Sequence, residues 1–231
     1  MHPTALHNVE RFCATYLRPD HRGYFVVEIG SQNVQSVTRT LRNVLPPNAE
    51  YVGVDMVAGN NVDVVLADPY RLPFETGSVD VCVASSMLEH CEMFWLLFLE
   101  VLRVLSPSGL FYLNVPSNGD FHRFPVDCWR FYPDSGNALV MWARHSGINA
   151  ALLESYVGAQ KSDIWNDFVA VFIKDAGLAG QYPNRITDQY KEFFNGLVFG
   201  NAEFRNYQAL PEDRLKLRTI EMILSGQMAV R

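Results

Sequence analysis

Five short, largely apolar runs constrain this chain more than any other feature. They are Tyr24-Phe-Val-Val-Glu-Ile-Gly30, Tyr51-Val-Gly-Val-Asp55, Val62-Asp-Val-Val-Leu66, Val79-Asp-Val-Cys-Val-Ala84 and Leu110-Phe-Tyr-Leu-Asn-Val115. Short runs rich in β-branched residues, with no polar alternate face, read as strands buried on both sides. Between the last two lies a helical run over residues 94–105, stopped by Ser106-Pro-Ser-Gly109. Strand, helix and strand in that order predict a parallel sheet with right-handed crossovers.

The flanking segments fill in the rest. Val9, Phe12, Cys13, Tyr16 and Leu17 fall at helical spacing before Pro19, so residues 8–17 predict an amphipathic opening helix. Residues 34–45 and 135–146 also carry helical spacing, while 150–157 and 167–174 read as two strands joined by a turn. Beyond Gly177 the composition turns polar and aromatic, with helical spacing over 188–194 and 212–224. The expected architecture is α/β: a Rossmann-like, doubly wound, mostly parallel seven-stranded sheet with an antiparallel edge hairpin, plus a helical C-terminal extension. The expected division is a catalytic domain over 1–176 and an extension over 177–231 that acts as a lid or dimer contact, since Tyr182, Tyr190, Phe193, Phe194, Phe199, Phe204 and Tyr207 are more aromatic surface than a solvated tail should expose.

Composition narrows the function. With 231 residues, 48% of them hydrophobic, the chain buries one sizeable core. No apolar stretch approaches the ~20 residues of a bilayer span, and the first residues show no secretory pattern, so a cytoplasmic protein without a membrane partner is expected. Cys13, Cys82, Cys91 and Cys128 are scattered, which suggests neither a disulfide framework nor a thiolate zinc site. A net charge of −6 without a Lys/Arg cluster argues against nucleic acid and for a small-molecule substrate.

In an open parallel sheet, ligands gather beyond the carboxyl ends of the strands. The residues found there are Glu28, Gly30, Ser31 and Gln32 after the first strand, Asp55 and Met56 after the second, Asp68 and Pro69 after the third, and Ser85 after the fourth. Asp55 follows Gly30 at about the offset where an acid meets ribose hydroxyls. Acids without Lys or Arg in the first turn suit a nucleoside lacking phosphate better than a dinucleotide. Each acid alone is also an ordinary helix or turn cap. It is the three in register that point to a ligand.

Through Val27-Glu28-Ile29-Gly30, Gly53-Val54-Asp55, Asp68, Leu72-Pro73-Phe74, Ser78-Val79-Asp80-Val81, Leu88-Glu89-His90 and Arg103-Val104-Leu105-Ser106-Pro107-Ser108-Gly109, the chain resembles the class I methyltransferases, specifically the type 11 group acting on small molecules. The resemblance covers residues 24–116. It implies S-adenosyl-L-methionine as cofactor, with Glu28 near its amino-acid end, Gly30 allowing close backbone approach, Asp55 on the ribose, Asp68 facing the adenine and Ser85 on the pocket floor. The family's turn usually carries two or three glycines, whereas here Gly30 is followed by Ser31, Gln32, Asn33 and Val34. Gln32 and Asn33 are expected to supply polar contacts instead.

Transfer to a hydroxyl or amine needs a proton acceptor, for which a histidine near neutrality is the natural candidate. His90 follows the fourth strand and His122 the fifth. His122 belongs to the passage Asn118-Gly-Asp-Phe-His122-Arg123-Phe-Pro-Val-Asp127-Cys-Trp129-Arg130-Phe-Tyr-Pro133, where Asp127 is a further proton acceptor and Arg123, Trp129 and Arg130 are candidate substrate contacts for an anionic or sugar-like acceptor. An equally good account is structural, with Trp129 and Phe131 plugging the core and Arg130 paired to Asp127. His122 and Asp127 make two metal ligands without a third, so no metal is expected. Two other functions stay open: a catalytically degenerate binding subunit, and a nicotinamide-dependent oxidoreductase or epimerase. The second is disfavoured because Gly30-Ser-Gln-Asn-Val-Gln35 lacks the second and third glycines of a pyrophosphate cradle.

Overall fold

Successive side chains of a strand face opposite ways, and here that decides which helix packs where. The computed structural model describes residues 3–18, 23–34, 39–161 and 165–229. Val26, Val81, Val83, Leu110 and Tyr112 cluster with Val9, Phe12 and Tyr16 of helix α1 (Pro3–Tyr16). Their neighbours Val27, Cys82, Ala84, Phe111 and Leu113 cluster with Phe98, Val101 and Leu102 of α2 (Phe94–Val104) and with Leu139, Val140 and Ala143 of α3 (Ser135–His145). The sheet is therefore covered on both faces, as its unbroken apolar strands require.

Nine strands form one sheet among the described residues: β1 (Tyr24–Ile29), β2 (Ala49–Asp55), β3 (Val64–Val65), β4 (Val79–Ser85), β5 (Leu105–Pro116), β6 (Ala151–Gly158), β7 (Asp167–Ile173), β8 (Phe193–Val198) and β9 (Asn201–Arg205). The order is β3-β2-β1-β4-β5-β7-β6-β8-β9. β1 to β5 pair in parallel and the remainder antiparallel. Strand order reverses between β1 and β4, which makes that boundary the switch point where an open α/β sheet takes its ligand.

The seven expected strands and the β6–β7 hairpin are present, but the hairpin is not the edge. β8 pairs with β6 and β9 pairs with β8, so the sheet continues two strands further. This also corrects the helical extension. Residues 188–194 are helical only in the end of α4 (Ile186–Gln189), and the chain then enters β8 at Phe193. The open side of β6 captured the aromatic segment, aligning Val157 with Phe194 and Ser155 with Leu197, which is tertiary pairing overriding local spacing. The helix expected over 212–224 forms as α5 (Glu212–Leu224).

Two further differences lie nearer the switch point. The predicted helix over 34–45 falls partly outside the described residues, and from 39 onward it is a single 3-10 turn, Leu41–Asn43. Thr40 N–H donates 2.9 Å to the Asn43 side chain there, the kind of local bond that competes with helix. Second, Ser106-Pro-Ser-Gly109 does not separate helix from strand but bulges inside β5, between the pairs Val79–Leu105 and Val81–Leu110.

One buried acid ties the C-terminal half to the front of the chain. Glu154 of β6 is fully buried. It accepts hydrogen bonds from Tyr16 Oη (2.6 Å), Ile186 N (2.6 Å), Thr187 N (3.1 Å) and Thr187 Oγ1 (3.0 Å), joining α1, β6 and α4. No helix among the described residues is long and apolar enough to cross a membrane.

Candidate active site at the switch point

The turn after β1 is built around one glycine. Gly30 has φ +75°, and a Cβ there would sit 2.5 Å from Met87 Cγ, so both conformation and space exclude a side chain. Gly30 N and Ser31 N both donate to Val54 O, at 3.0 and 3.1 Å, which locks the turn onto β2. Glu28 is buried beneath it and accepts hydrogen bonds from Tyr51 Oη and Asn61 Nδ2. Asn61 also donates 2.9 Å to Ser31 O, so the same amide braces acid and turn. Burial pushes the Glu28 carboxyl up to about 7 against those stabilising hydrogen bonds.

Past the turn, the residues that replace the usual glycines are pinned outward. Gln32 N donates to Asp55 Oδ2 at 3.0 Å and Asn33 N to Asn60 O at 2.9 Å. Asp55 receives Val57 N on its other oxygen (3.2 Å) and is half-buried, next to exposed Met56. Asp68 is exposed and caps its own turn by accepting from Tyr70 N at 2.8 Å, with Pro69 between them. The structure thus brings Glu28, Gly30, Ser31, Gln32 and Asp55 into one bonded unit, whereas no such bond joins Asp68 or Pro69 to it. At the end of β4, Ser85 is buried, and Ser86 adopts φ +54°. The hydroxyls of both are buried without a hydrogen-bond partner.

Beyond β4 the chain makes a 3-10 turn, Leu88–His90, and the loop after β5 folds onto it. Cys128 N (2.8 Å) and Trp129 N (3.3 Å) donate to Glu89 O, and Trp129 Nε1 donates 3.0 Å to Cys91 O. These bonds set the His90 and His122 rings edge to face, centroids 4.9 Å apart. His90 Nδ1 lies 2.5 Å from Val126 O, and His122 Nδ1 lies 3.0 Å from Asp120 O. Trp165, ahead of β7, meets the His122 ring in an edge-type contact, centroids 5.0 Å apart. Burial lowers the His90 pKa and pushes the neighbouring Glu89 carboxyl up to about 8.

Asp127 sits elsewhere in this scheme than a base should. Its carboxylate takes Arg130 Nη1 (2.6 Å) and Nη2 (2.8 Å) and the His122 N–H (2.8 Å). The Arg130 hydrogen bonds hold it at about 2, so it is a poor proton acceptor near neutrality. Arg130 in turn spends further bonds on Trp129 O and Asp120 O, and of the expected pair of arginines only Arg123 is exposed. Trp129 lines a cavity of about 400 Å³ together with Phe94, Trp95, Phe131, Leu139 and Trp142.

Sequence reasoning gave no role to Glu89, Met87 or Asn61, and for Trp165, with Asn166 and Asp167 ahead of the last strand, it set reach into the pocket against a plain turn and strand cap. Glu89 stands beside His90 in the turn after β4, and that adjacency is its only local signal. The contacts Met87–Gly30, Asn61–Ser31 and Trp165–His122 span 30 to 57 residues of chain and carry no local signal.

Comparison with known proteins fits this geometry. Residues 27–113 match the family described as "Methyltransferase domain". A 74-residue stretch is 45% identical to an uncharacterized methyltransferase of Mycobacterium sp. (strain KMS), covering 28% of this chain and 29% of the relative. Another, of Mycobacterium avium (strain 104), is 34% identical over 92 residues, covering 40% of this chain and 35% of the relative. The chain thus spans only about a third of the length of these curated relatives. In fold it resembles the Burkholderia thailandensis 1,6-didemethyltoxoflavin-N1-methyltransferase, a structure with bound 1,6-didemethyltoxoflavin and S-adenosylhomocysteine, at TM-score 0.55 and 15% identity over 74% of this chain and 78% of that one. In sequence, residues 27–113 are thus similar to a methyltransferase domain, and the fold of the described residues is similar to that of the Burkholderia thailandensis enzyme.

Proposed function

We propose that the whole chain is an S-adenosyl-L-methionine-dependent methyltransferase acting on oxygen or nitrogen of a small molecule. The observation that carries this reading is the paired presence, at the β1/β4 switch point, of a left-handed glycine turn packed against Met87 and of two buried hydroxyls, Ser85 and Ser86, without partners. Buried polar groups are rarely left unpaired in native proteins, and a nucleoside cofactor supplies the missing partners. Asp55, half-buried and bonded only through backbone N–H groups of Gln32 and Val57, keeps lone pairs for ribose hydroxyls. These residues fit the cofactor. When bound, it supplies an electrophilic methyl group for in-line displacement.

The chain's own work is then positional. The Gly30 turn and Asp55 hold one side of the crevice, and the Leu88–His90 turn with the loop after β5 forms the other. The acceptor loses its proton at the His90–His122 pair. His90 is held by Val126 O through Nδ1, which leaves Nε2 for the proton, and its lowered pKa keeps that nitrogen unprotonated at neutral pH. The aromatic cavity at Trp129 suits a ring or sugar face. Arg123 is the remaining guanidinium for an anionic group.

Calorimetric titration with S-adenosylhomocysteine tests the reading, with NAD as control. Saturable binding of the first alone, weakened at least tenfold by Asp55→Ala, is the expected result. Silence from S-adenosylhomocysteine would favour a non-catalytic binding subunit.

A further inference from the structure

We propose that Glu89, His90 and His122 form a binding site for one divalent first-row transition cation. Each offers one ligand atom, and the three atoms lie within 4.8 Å of one another. The sequence supplied His122 and Asp127 without a third ligand. The structure removes Asp127, whose oxygens are committed to Arg130 and the His122 N–H, and substitutes Glu89 and His90.

Three independent features build the site. Glu89 has a side chain only 1% exposed, and its Oε2 is buried without a hydrogen-bond partner. A buried carboxyl oxygen left without a hydrogen-bond partner is costly as a bare anion, and the cost is relieved by holding a proton or by ligating a cation in its place. Its other oxygen lies 3.8 Å from His90 Nε2. Next, both imidazoles have Nδ1 against a main-chain carbonyl, Val126 O for His90 and Asp120 O for His122. Metal-binding histidines characteristically engage the second nitrogen this way, which fixes the tautomer and frees Nε2 as the ligand. Finally, the carriers are fastened to each other: Glu89 O receives two N–H groups from the loop that holds His122, and Trp165 backs the His122 ring.

Two imidazole nitrogens and one carboxylate are the donor set of a 2-His-1-carboxylate centre with open positions. Ligands about 2.1 Å from a common ion, in tetrahedral or facial arrangement, stand about 3.0–3.4 Å apart, so closure draws the most distant ligand atoms together by roughly 1.5 Å. The half-exposed His122 ring at the end of a loop can make that movement. With the cation in place, both Nε2 lone pairs are committed to it. The open positions then face the crevice beyond β4 and β5, where a bound acceptor hydroxyl would have its proton loosened by the ion's charge. In that state the histidines act as ligands instead of bases.

The cation site stands on its own residues and does not depend on cofactor binding. The probe is Co2+, added to the chelator-stripped full chain and followed by calorimetry and visible absorption. One equivalent is expected to bind and give a ligand-field band without a thiolate charge-transfer band. His122→Ala, at a half-exposed position that leaves the core intact, should weaken binding at least tenfold, and Glu89→Gln likewise. Absence of saturable Co2+ binding, or binding unchanged in His122→Ala, overturns the proposal. Titrating the same samples with S-adenosylhomocysteine separates the two readings: cofactor binding without Co2+ binding removes only the cation site, and the converse removes only the methyl-transfer reading.

Discussion

Arg130 closes on Asp127 in a two-pronged pair, Nη1 to Oδ1 at 2.6 Å and Nη2 to Oδ2 at 2.8 Å, and so turns an apparent catalytic acid into the pin of the His122 loop. Its carboxyl is lowered to about 2 in the folded chain. A carboxyl depressed by folding stabilises above its unfolded pKa of ~3.9, and that stabilisation is lost as pH falls toward the folded value. Asp127→Asn is therefore expected to cost about 1–2 kcal/mol at pH 7. The gap to the parent protein should shrink by pH 2.5, as read by urea denaturation.

Glu28 has the opposite sign. Burial raises its folded pKa to about 7, so it favours the fold fully below the unfolded value of ~4.3, and this advantage is lost as pH rises through 7. Glu28→Gln keeps an oxygen to accept from Tyr51 and Asn61. It should melt higher than the parent at pH 8, with the difference vanishing near pH 4. Equal melting temperatures at both pH values would contradict the buried-carboxyl account.

Gly30→Ala forces a side chain into a left-handed turn already filled by Met87. The conformation alone costs about 1–2 kcal/mol, and Met87 must also move. A fall of several degrees in Tm is expected, together with weaker S-adenosylhomocysteine binding measured by calorimetry.

His90→Ala and His122→Ala should leave S-adenosylhomocysteine affinity within about threefold while lowering turnover on any identified acceptor about 10²-fold or more. Full activity in both variants would remove the pair from the chemistry.

The first turn of α5 is tied to the rim of the crevice. Glu212 accepts from Gln160 N (2.7 Å) and Asn166 Nδ2 (2.6 Å), and Asp213 accepts from Asn118 Nδ2 (2.6 Å), while no residue of α5 is buried. Replacing both acids by alanine should release the helix with little change in Tm. Limited proteolysis should then cut near 211 at least tenfold faster.

What the sequence announces and what it hides follow one physical division. Strands β1, β2, β4 and β5 are legible because a parallel strand buried on both faces must be apolar along its whole length, as Val79 to Ala84 shows apart from Asp80. β8 is not legible, because its pairing to β6 is set by an open ladder that no local pattern records. The same holds at the site. Gly30 and Asp55 are readable from their place at strand ends, but the fate of Asp127 depends on which partner reaches it first. Arg130, three residues on, does so. Glu89 becomes interesting only once the loop after β5 is laid across it.

The Ser155–Leu197 and Val157–Phe194 pairs have a practical meaning for anyone dividing this chain. Cutting after residue 176 would strip β6 of its outer neighbour and leave a row of open amides and carbonyls beside apolar Tyr156 and Val157. It would also take away Ile186 and Thr187, which satisfy Glu154. Such a fragment is a template for edge-to-edge aggregation. The tail beyond residue 176, although it lies outside the matched family segment, is thus part of what keeps the sheet closed at β6.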